Sequence, residues 1–363
     1  MSAIEWTDET WNPVVGCTPV SPGCLNCYAA TMAGTRLVKR PEYVGLTVRK
    51  GGAKGQRGRG TKGRMVFNGT VRMLEERLTE PFRWKKPRLV FVNSMSDLFH
   101  EDVPFEFIDR VFAVMALTPR HTYQVLTKRP ERMAEYLDAS RSESMRPGRV
   151  LRHAYTMVKD LPGSRIAAEY AKLHVAYHAD YARSRFWPLP NVWLGTSVED
   201  QARADERIPH LLKCPAAVRF LSVEPLIGAV DLSAFMGGAY VGLPGDVVHP
   251  SYNFGIGWVI VGGESGANAR PCDVGWIESI VEQCRDARVP VFVKQLGRRV
   301  FMGVDDWYAF TNGDTTGTGR FVLIEGDDRG HWYPDSRKGG DPSEWPQHLR
   351  VRQWPAGYAA LTS

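Results

Sequence analysis

Three cysteines lie within eleven residues, in the stretch Trp11-Asn-Pro-Val-Val-Gly-Cys17-Thr-Pro-Val-Ser-Pro-Gly-Cys24-Leu-Asn-Cys27-Tyr-Ala-Ala30, spaced C-x6-C-x2-C. Thiolates are soft ligands that select iron–sulfur clusters, zinc or copper(I). The prolines and glycines around them stiffen the loop and let its backbone wrap a metal centre. No fourth cysteine is nearby, since Cys214, Cys272 and Cys284 are distant in sequence. A [4Fe–4S] cluster ordinarily takes four thiolates. With three, one iron stays open to chelate the amino and carboxylate groups of S-adenosylmethionine. The alternative is a structural zinc site, which needs a fourth ligand such as His100 to complete a tetrahedron.

Other residues of interest each carry a plainer reading. Cys214, Cys272 and Cys284 are expected as small buried residues, with an auxiliary redox role as the alternative for Cys272. His174 and His178 are spaced i,i+4 and either share a metal or form the polar face of a helix. Lys128 and Lys294 follow apolar runs and either meet an anion or pair with a glutamate such as Glu224. Gly262-Gly263-Glu264 is not the G-x-G-x-x-G fingerprint of a dinucleotide site. Residues 49–64 hold seven basic residues, six glycines and no acid. The glycines oppose a stable helix. Such a segment is either a solvated loop or an arm that contacts phosphates of a nucleic acid.

The elements that must position these groups are legible from periodicity. Leu89–Asn93, Tyr123–Thr127, Val192–Thr196, Val218–Ser222, Trp258–Gly262 and Val291–Lys294 are strand-length runs, apolar on both faces. That is the pattern of parallel strands buried between layers. Amphipathic stretches such as Phe105–Leu117 and Trp276–Ala287 separate most of them. The expected fold is therefore α/β, a partial or full parallel (β/α) barrel with a helical insertion. Each run ends in polar residues or glycine, and in such barrels active sites gather at the C-terminal strand ends. A shared polar mouth is the expectation.

The cysteine loop also carries a resemblance. Asn12-Pro-x-x-Gly-Cys17 and Gly23-Cys24-x-x-Cys27-Tyr-Ala29 resemble the cluster loop of radical S-adenosylmethionine proteins related to spore photoproduct lyase. The whole chain, apart from 49–64 and 140–187, looks still more like a phage-associated family of uncharacterised three-cysteine-motif proteins. Phe91-Val-Asn-Ser-Met-Ser-Asp-Leu-Phe-His100, Gln124-Val-Leu-Thr-Lys-Arg-Pro-Glu-Arg132, Val261-Gly-Gly-Glu-Ser-Gly266 and Gly340-Asp-Pro-Ser-Glu-Trp345 carry that likeness. The spacing departs from the usual C-x3-C-x2-C by three extra residues. The resemblance implies a radical-SAM-like fold, with Cys17, Cys24 and Cys27 each ligating one iron. It places Ser94, Ser96 and Asp97 at the cofactor's amino group and ribose, and Thr196, Ser197 and Glu199 at the ribose. Gly262 and Gly263 would bring backbone close to the adenosine or methionine, with Glu264 beside them. It also implies an electron donor and a neighbouring partner protein in some genomes. The function expected is formation of a 5′-deoxyadenosyl radical that acts on an unread substrate, with nucleic acid or a nucleotide favoured. The rival is a non-catalytic, zinc-containing nucleic-acid-binding protein; an iron–sulfur hydrolase or lyase using the open iron as a Lewis acid is a third reading.

Bulk properties bound these readings. The 363 residues are 43% hydrophobic, enough for a full core without disulfide staples. No run of 18 apolar residues occurs, so no membrane helix is expected. The acidic N-terminus lacks a signal-peptide core, and the protein is expected in the cytosol. The net charge of +6 favours an anionic partner. The expected organisation is a barrel over 1–300, containing the basic loop 49–64 and the helical insertion 140–187. An irregular extension over 301–363, with one strand at Arg320–Ile324, would pack on it.

Overall fold

The computed structural model describes residues 4–51, 63–138, 145–161, 163–179, 187–236, 255–305, 307, 320–324, 327–336 and 338–355. Most of the basic run, residues 52–62, and parts of the insertion lie outside the described residues.

Seven strands form the main sheet: β1 (Glu9–Trp11), β2 (Leu89–Val92), β3 (Thr122–Thr127), β4 (Val192–Ser197), β5 (Val218–Val223), β6 (Trp258–Gly262) and β7 (Val291–Gln295). Their order in the sheet follows the sequence from β1 to β7, with no strand skipped. The pairs β1–β2, β2–β3, β5–β6 and β6–β7 are parallel. Nearly every residue of β2 to β7 is buried, as the two-faced apolar runs require. The fold is thus mixed α/β on a progressive sheet, and all six expected strands are present.

Helices are α1 (Tyr28–Ala33), α2 (Phe105–Leu117), α3 (Pro130–Leu137), α4 (Met145–Val158), α5 (Arg165–Ala179), α6 (Gln201–Leu212) and α7 (Val274–Asp286). The chain divides into two compact units. One runs to Gly195 and includes Lys213–Ala217; the other holds Thr196–Leu212 and Val218–Tyr358.

In the first unit, α2 is apolar almost all round and buried along most of its length. It stops at Thr118, whose hydroxyl donates to the Val114 carbonyl at 2.6 Å and lies 2.6 Å from the Tyr123 hydroxyl. The helical insertion is realised in α4 and α5. Arg149 on α4 reaches the buried Asp109 of α2 at 2.8 Å.

In the second unit, Asp273 caps α7 by accepting from the Gly275 amide at 3.0 Å, which satisfies an otherwise orphaned donor. The residues beyond 300 are more regular than expected. Val300–Gly303, Arg329–Tyr333 and Arg320–Leu323 join Cys272–Asp273 in a four-stranded sheet. The strand expected at Arg320–Ile324 is present as Arg320–Leu323. The later segment covers β7: Val293 donates to Val351 and Gln353 to Val291, both at 2.9 Å. Pairing in this way removes an exposed sheet edge.

Candidate functional site: the cysteine loop

The loop leaves the end of β1 and is fastened at once to the end of β2. The Asn12 side chain accepts from the Ser94 hydroxyl at 3.2 Å and from the Met95 amide at 3.0 Å. Asn93 accepts from the Val14 amide at 3.4 Å, and its own amide donates to the Trp11 carbonyl at 2.8 Å. Gly16 donates to Met95 at 3.1 Å, and the Ser96 hydroxyl donates to Val14 at 2.8 Å. Gly16 has φ +90, and a Cβ there would lie 2.1 Å from the Thr70 carbonyl oxygen. Only glycine permits both the conformation and the approach. The position before Cys17 is therefore fixed by backbone sterics.

All six cysteines are free. Cys17 and Cys27 pack against an apolar cluster of Val15, Ala29, Ala30, Ala33, Tyr43, Leu46, Phe67, Leu74 and Met95. Burial pushes the Cys17 thiol up to about 12, helped by the charge of Asp97 and opposed by Arg129. Burial also raises Cys27, opposed in part by backbone donors and by Lys128. The charge of Cys24 acts on both. The Ser21 hydroxyl lies 3.8 Å from the Cys24 sulfur. A desolvated thiolate is disfavoured unless cationic charge or a metal compensates it.

That charge comes from the end of β3. Arg129 donates from Nη1 to the Cys17 sulfur at 3.8 Å and from Nη2 to the Thr18 carbonyl at 3.2 Å. It also pairs with Asp97 at 3.2 Å and Glu101 at 2.9 Å. Asp97 is 5% exposed and fully engaged. It accepts from the Phe99 amide at 3.0 Å, the Thr127 hydroxyl at 2.7 Å and the Lys128 amide at 3.0 Å. The carboxylate ties the ends of β2 and β3 together and aims Arg129 at the loop.

His100, the candidate fourth zinc ligand, is occupied on both nitrogens. Nδ1 accepts from the Asp102 amide at 3.1 Å, so the network assigns the ring hydrogen to Nε2, which lies 2.8 Å from the Thr18 hydroxyl. Burial lowers its pKa and favours the neutral ring. Among the described residues no group of three or more His, Cys, Asp or Glu is gathered as a metal site. The His174 and His178 rings lie 4.3 Å apart between centroids with their planes tilted by 52°, next to Tyr170 and Tyr177.

Ser94, Ser96 and Asp97 are brought onto the cysteine loop. Tyr28 adds a hydrogen bond from its hydroxyl to the Ser94 carbonyl at 2.7 Å. The other six expected cofactor residues lie in the second unit, engaged with neighbours there. Thr196 and Ser197 are buried at the end of β4, where Arg207 of α6 donates to the Ser197 carbonyl at 3.0 Å. The same guanidinium pairs with Glu199 at 2.9 Å, and both side chains are almost fully buried. Glu264 is held by the Arg270 side chain at 2.7 Å and by the Arg270 amide at 2.8 Å. At Gly262 a Cβ would lie 2.9 Å from both the Gln295 carbonyl and Glu224; at Gly263, 2.2 Å from the Leu296 carbonyl. These glycines admit the chain at and after β7. Lys294 takes its plainer role and pairs with Glu224 at 3.1 Å. Cys214, Cys272 and Cys284 are buried as expected.

A family model described as a protein of unknown function (DUF5131) matches residues 1–320. The chain belongs to the DUF5131 family. No curated protein and no solved structure matches it. In this DUF5131 protein the residue that sequence reasoning passed over is Arg129, and Lys128 was read only as a partner for an anion or a glutamate, not for a thiol. Their signal was present in Thr127-Lys128-Arg129, two cations directly after a buried strand. Which cysteine each would serve depended on the pairing of β2 with β3. Asn12 and Asn93 were missed as well; Asn93 sits at φ 61, a left-handed turn that asparagine tolerates.

Proposed function

We propose that Cys17, Cys24 and Cys27 hold a [4Fe–4S] cluster and that the protein uses it with S-adenosylmethionine in radical chemistry. The observation that carries this reading is the Arg129 guanidinium, whose Nη1 lies 3.8 Å from the Cys17 sulfur on a short loop that holds two further free thiols. The donor set fits such a group in kind: three soft, free thiols on one short loop, with cationic compensation built in. A cluster held by Cys17, Cys24 and Cys27, once reduced by an electron donor, would supply the one electron that cleaves S-adenosylmethionine to methionine and a 5′-deoxyadenosyl radical. The protein's own contributions are local. Gly16 sets the start of the loop, Asp97 orients Arg129, and the Arg129 N–H stabilises negative charge on the Cys17 sulfur. The apolar cluster beneath Cys17 and Cys27 keeps water from them. Neutral His100, engaged on both sides, favours a three-thiolate set over a zinc tetrahedron.

The test is anaerobic reconstitution with iron and sulfide, then dithionite and S-adenosylmethionine, with 5′-deoxyadenosine as the readout. Absorbance near ~400 nm is expected in the reconstituted protein. It should vanish on Cys17→Ala, Cys24→Ala or Cys27→Ala and persist on Cys214→Ala. A colourless protein that retains stoichiometric zinc would replace this reading with the zinc one.

A further inference from the structure

Between Thr10 and Leu74 the chain carries eleven Lys or Arg and one acid, Glu42. That acid is already taken by Arg77 at 2.5 Å. Arg72 turns inward, donating to the Glu42 carbonyl at 3.0 Å. Arg36, Lys39, Arg40, Arg49, Lys50 and Arg64 are exposed. None of the six forms an ion pair within the described residues.

The fold gathers them. Thr47–Lys50 and Arg64–Phe67 pair antiparallel with Lys50 opposite Arg64 and Val48 opposite Val66. Side chains directly opposite share a face, so the hairpin presents two like charges side by side. Such a pair costs stability unless an anion lies across it. The other face, where exposed Arg49 stands opposite Met65, is otherwise packed: Phe67 is buried, and a Cβ on Gly34 would lie 2.3 Å from the end of Met65 and 2.7 Å from Thr47. Gly34 closes α1, so the turn bearing Arg36, Lys39 and Arg40 is anchored beside the hairpin. The hairpin in turn reaches the cysteine loop, since Gly69 donates to the Cys17 carbonyl at 3.2 Å.

We propose that this basic surface, which wraps both faces of the hairpin on the cysteine-bearing part of the first unit, binds the phosphate backbone of a nucleic acid. Four of the six cations are arginines, whose planar fork matches phosphate oxygens in two-point contacts. An anionic membrane is the poorer fit. The exposed apolar neighbours Val38, Val44 and Val48 are not the Trp, Phe and Leu of interfacial anchors. The inference goes beyond the cluster proposal and needs no metal.

The test is fluorescence anisotropy of the full chain with a labelled oligonucleotide, single-stranded and duplex, at about 50 and 200 mM salt. The variant Arg36→Gln/Lys39→Gln/Arg40→Gln/Arg64→Gln should bind at least about tenfold more weakly at low salt. Its slope of log K against log salt on duplex should fall by about 3 to 4. A control with the same charge change, Lys85→Gln/Lys86→Gln/Lys159→Gln/Lys172→Gln, should bind like the parent. Circular dichroism of both variants checks folding, and any misfolded quadruple is replaced by its single substitutions. No binding by the parent, equal losses in both quadruples, or tighter binding to phosphatidylserine vesicles than to either oligonucleotide would overturn the proposal. Iron content of the same reconstituted samples separates the two proposals. Iron-free protein that binds the oligonucleotide fails the cluster reading alone, and iron-loaded protein that does not bind fails this one alone.

Discussion

Arg129 stands between a sulfur and a carboxylate: Nη1 is 3.8 Å from the Cys17 sulfur and 3.2 Å from Oδ2 of Asp97. Both ion-pair side chains are at least nine-tenths buried. Breaking a buried pair on one side strands the other charge and costs about 3–5 kcal/mol. Arg129→Ala should therefore lose stability on that order in urea melts. Arg129→Lys should lose less, keeping charge without the fork that reaches Asp97, Glu101, Thr18 and Cys17 together. In reconstituted protein, Arg129→Gln should also lower the midpoint potential of the metal centre, because a neighbouring positive charge favours the reduced state. An unchanged potential would leave Arg129 with a purely structural role.

Gly16→Ala should be severe. The substitution meets both the φ of +90 and the 2.1 Å approach to Thr70. Forced backbone movement there displaces Cys17, so iron uptake should fall along with stability, by at least about 1–3 kcal/mol. Gly69→Ala also carries a positive φ, of +97, but its Cβ would meet only the Thr18 hydroxyl at 3.4 Å. It should cost less and leave iron uptake near the parent value. Equal iron content in both variants would show that the loop adapts.

The Glu199–Arg207 pair is expected to hold the second unit together. Arg207→Leu should lose about 3–5 kcal/mol by taking the cation away from the buried Glu199 carboxylate. The double variant Glu199→Leu/Arg207→Leu should recover most of that loss, and a double-mutant cycle in denaturant measures the coupling. If Glu199→Gln instead alters S-adenosylmethionine affinity while leaving the melt unchanged, Glu199 serves the cofactor.

Stability should fall on mild acidification through His121. Burial pushes this ring down to about 4, with the neighbouring Arg120 adding to the effect. The unfolded chain takes up a proton near its ordinary value of about 6.5 while the folded ring stays neutral. Stability is thus present above pH about 6.5 and is lost as the pH falls toward about 4. The loss should reach on the order of 2–3 kcal/mol. His121→Gln should flatten that limb of the pH–stability curve, measured by urea midpoints in buffers spanning the window. An identical limb in the variant would assign the titration elsewhere.

Periodicity and residue chemistry determined much of this protein by themselves. Six buried strands, the helix Phe105–Leu117, the helix read at Trp276–Ala287 and found at Val274–Asp286, and the burial of Cys214, Cys272 and Cys284 were legible because each follows from local apolar pattern. The cysteine loop was legible because its ligands are close in sequence. Tertiary structure decided the rest, through contacts between residues far apart in the chain. It made Asp97 a clamp between strand ends, turned Arg129 onto Cys17 across 112 positions, and committed Glu199 to Arg207. It also gave the residues beyond 300 regular strands, because a sheet edge needs hydrogen-bond partners whatever its composition. Sequence pattern fixes which face of an element is apolar, but a polar side chain finds its partner only when packing sets the register between elements.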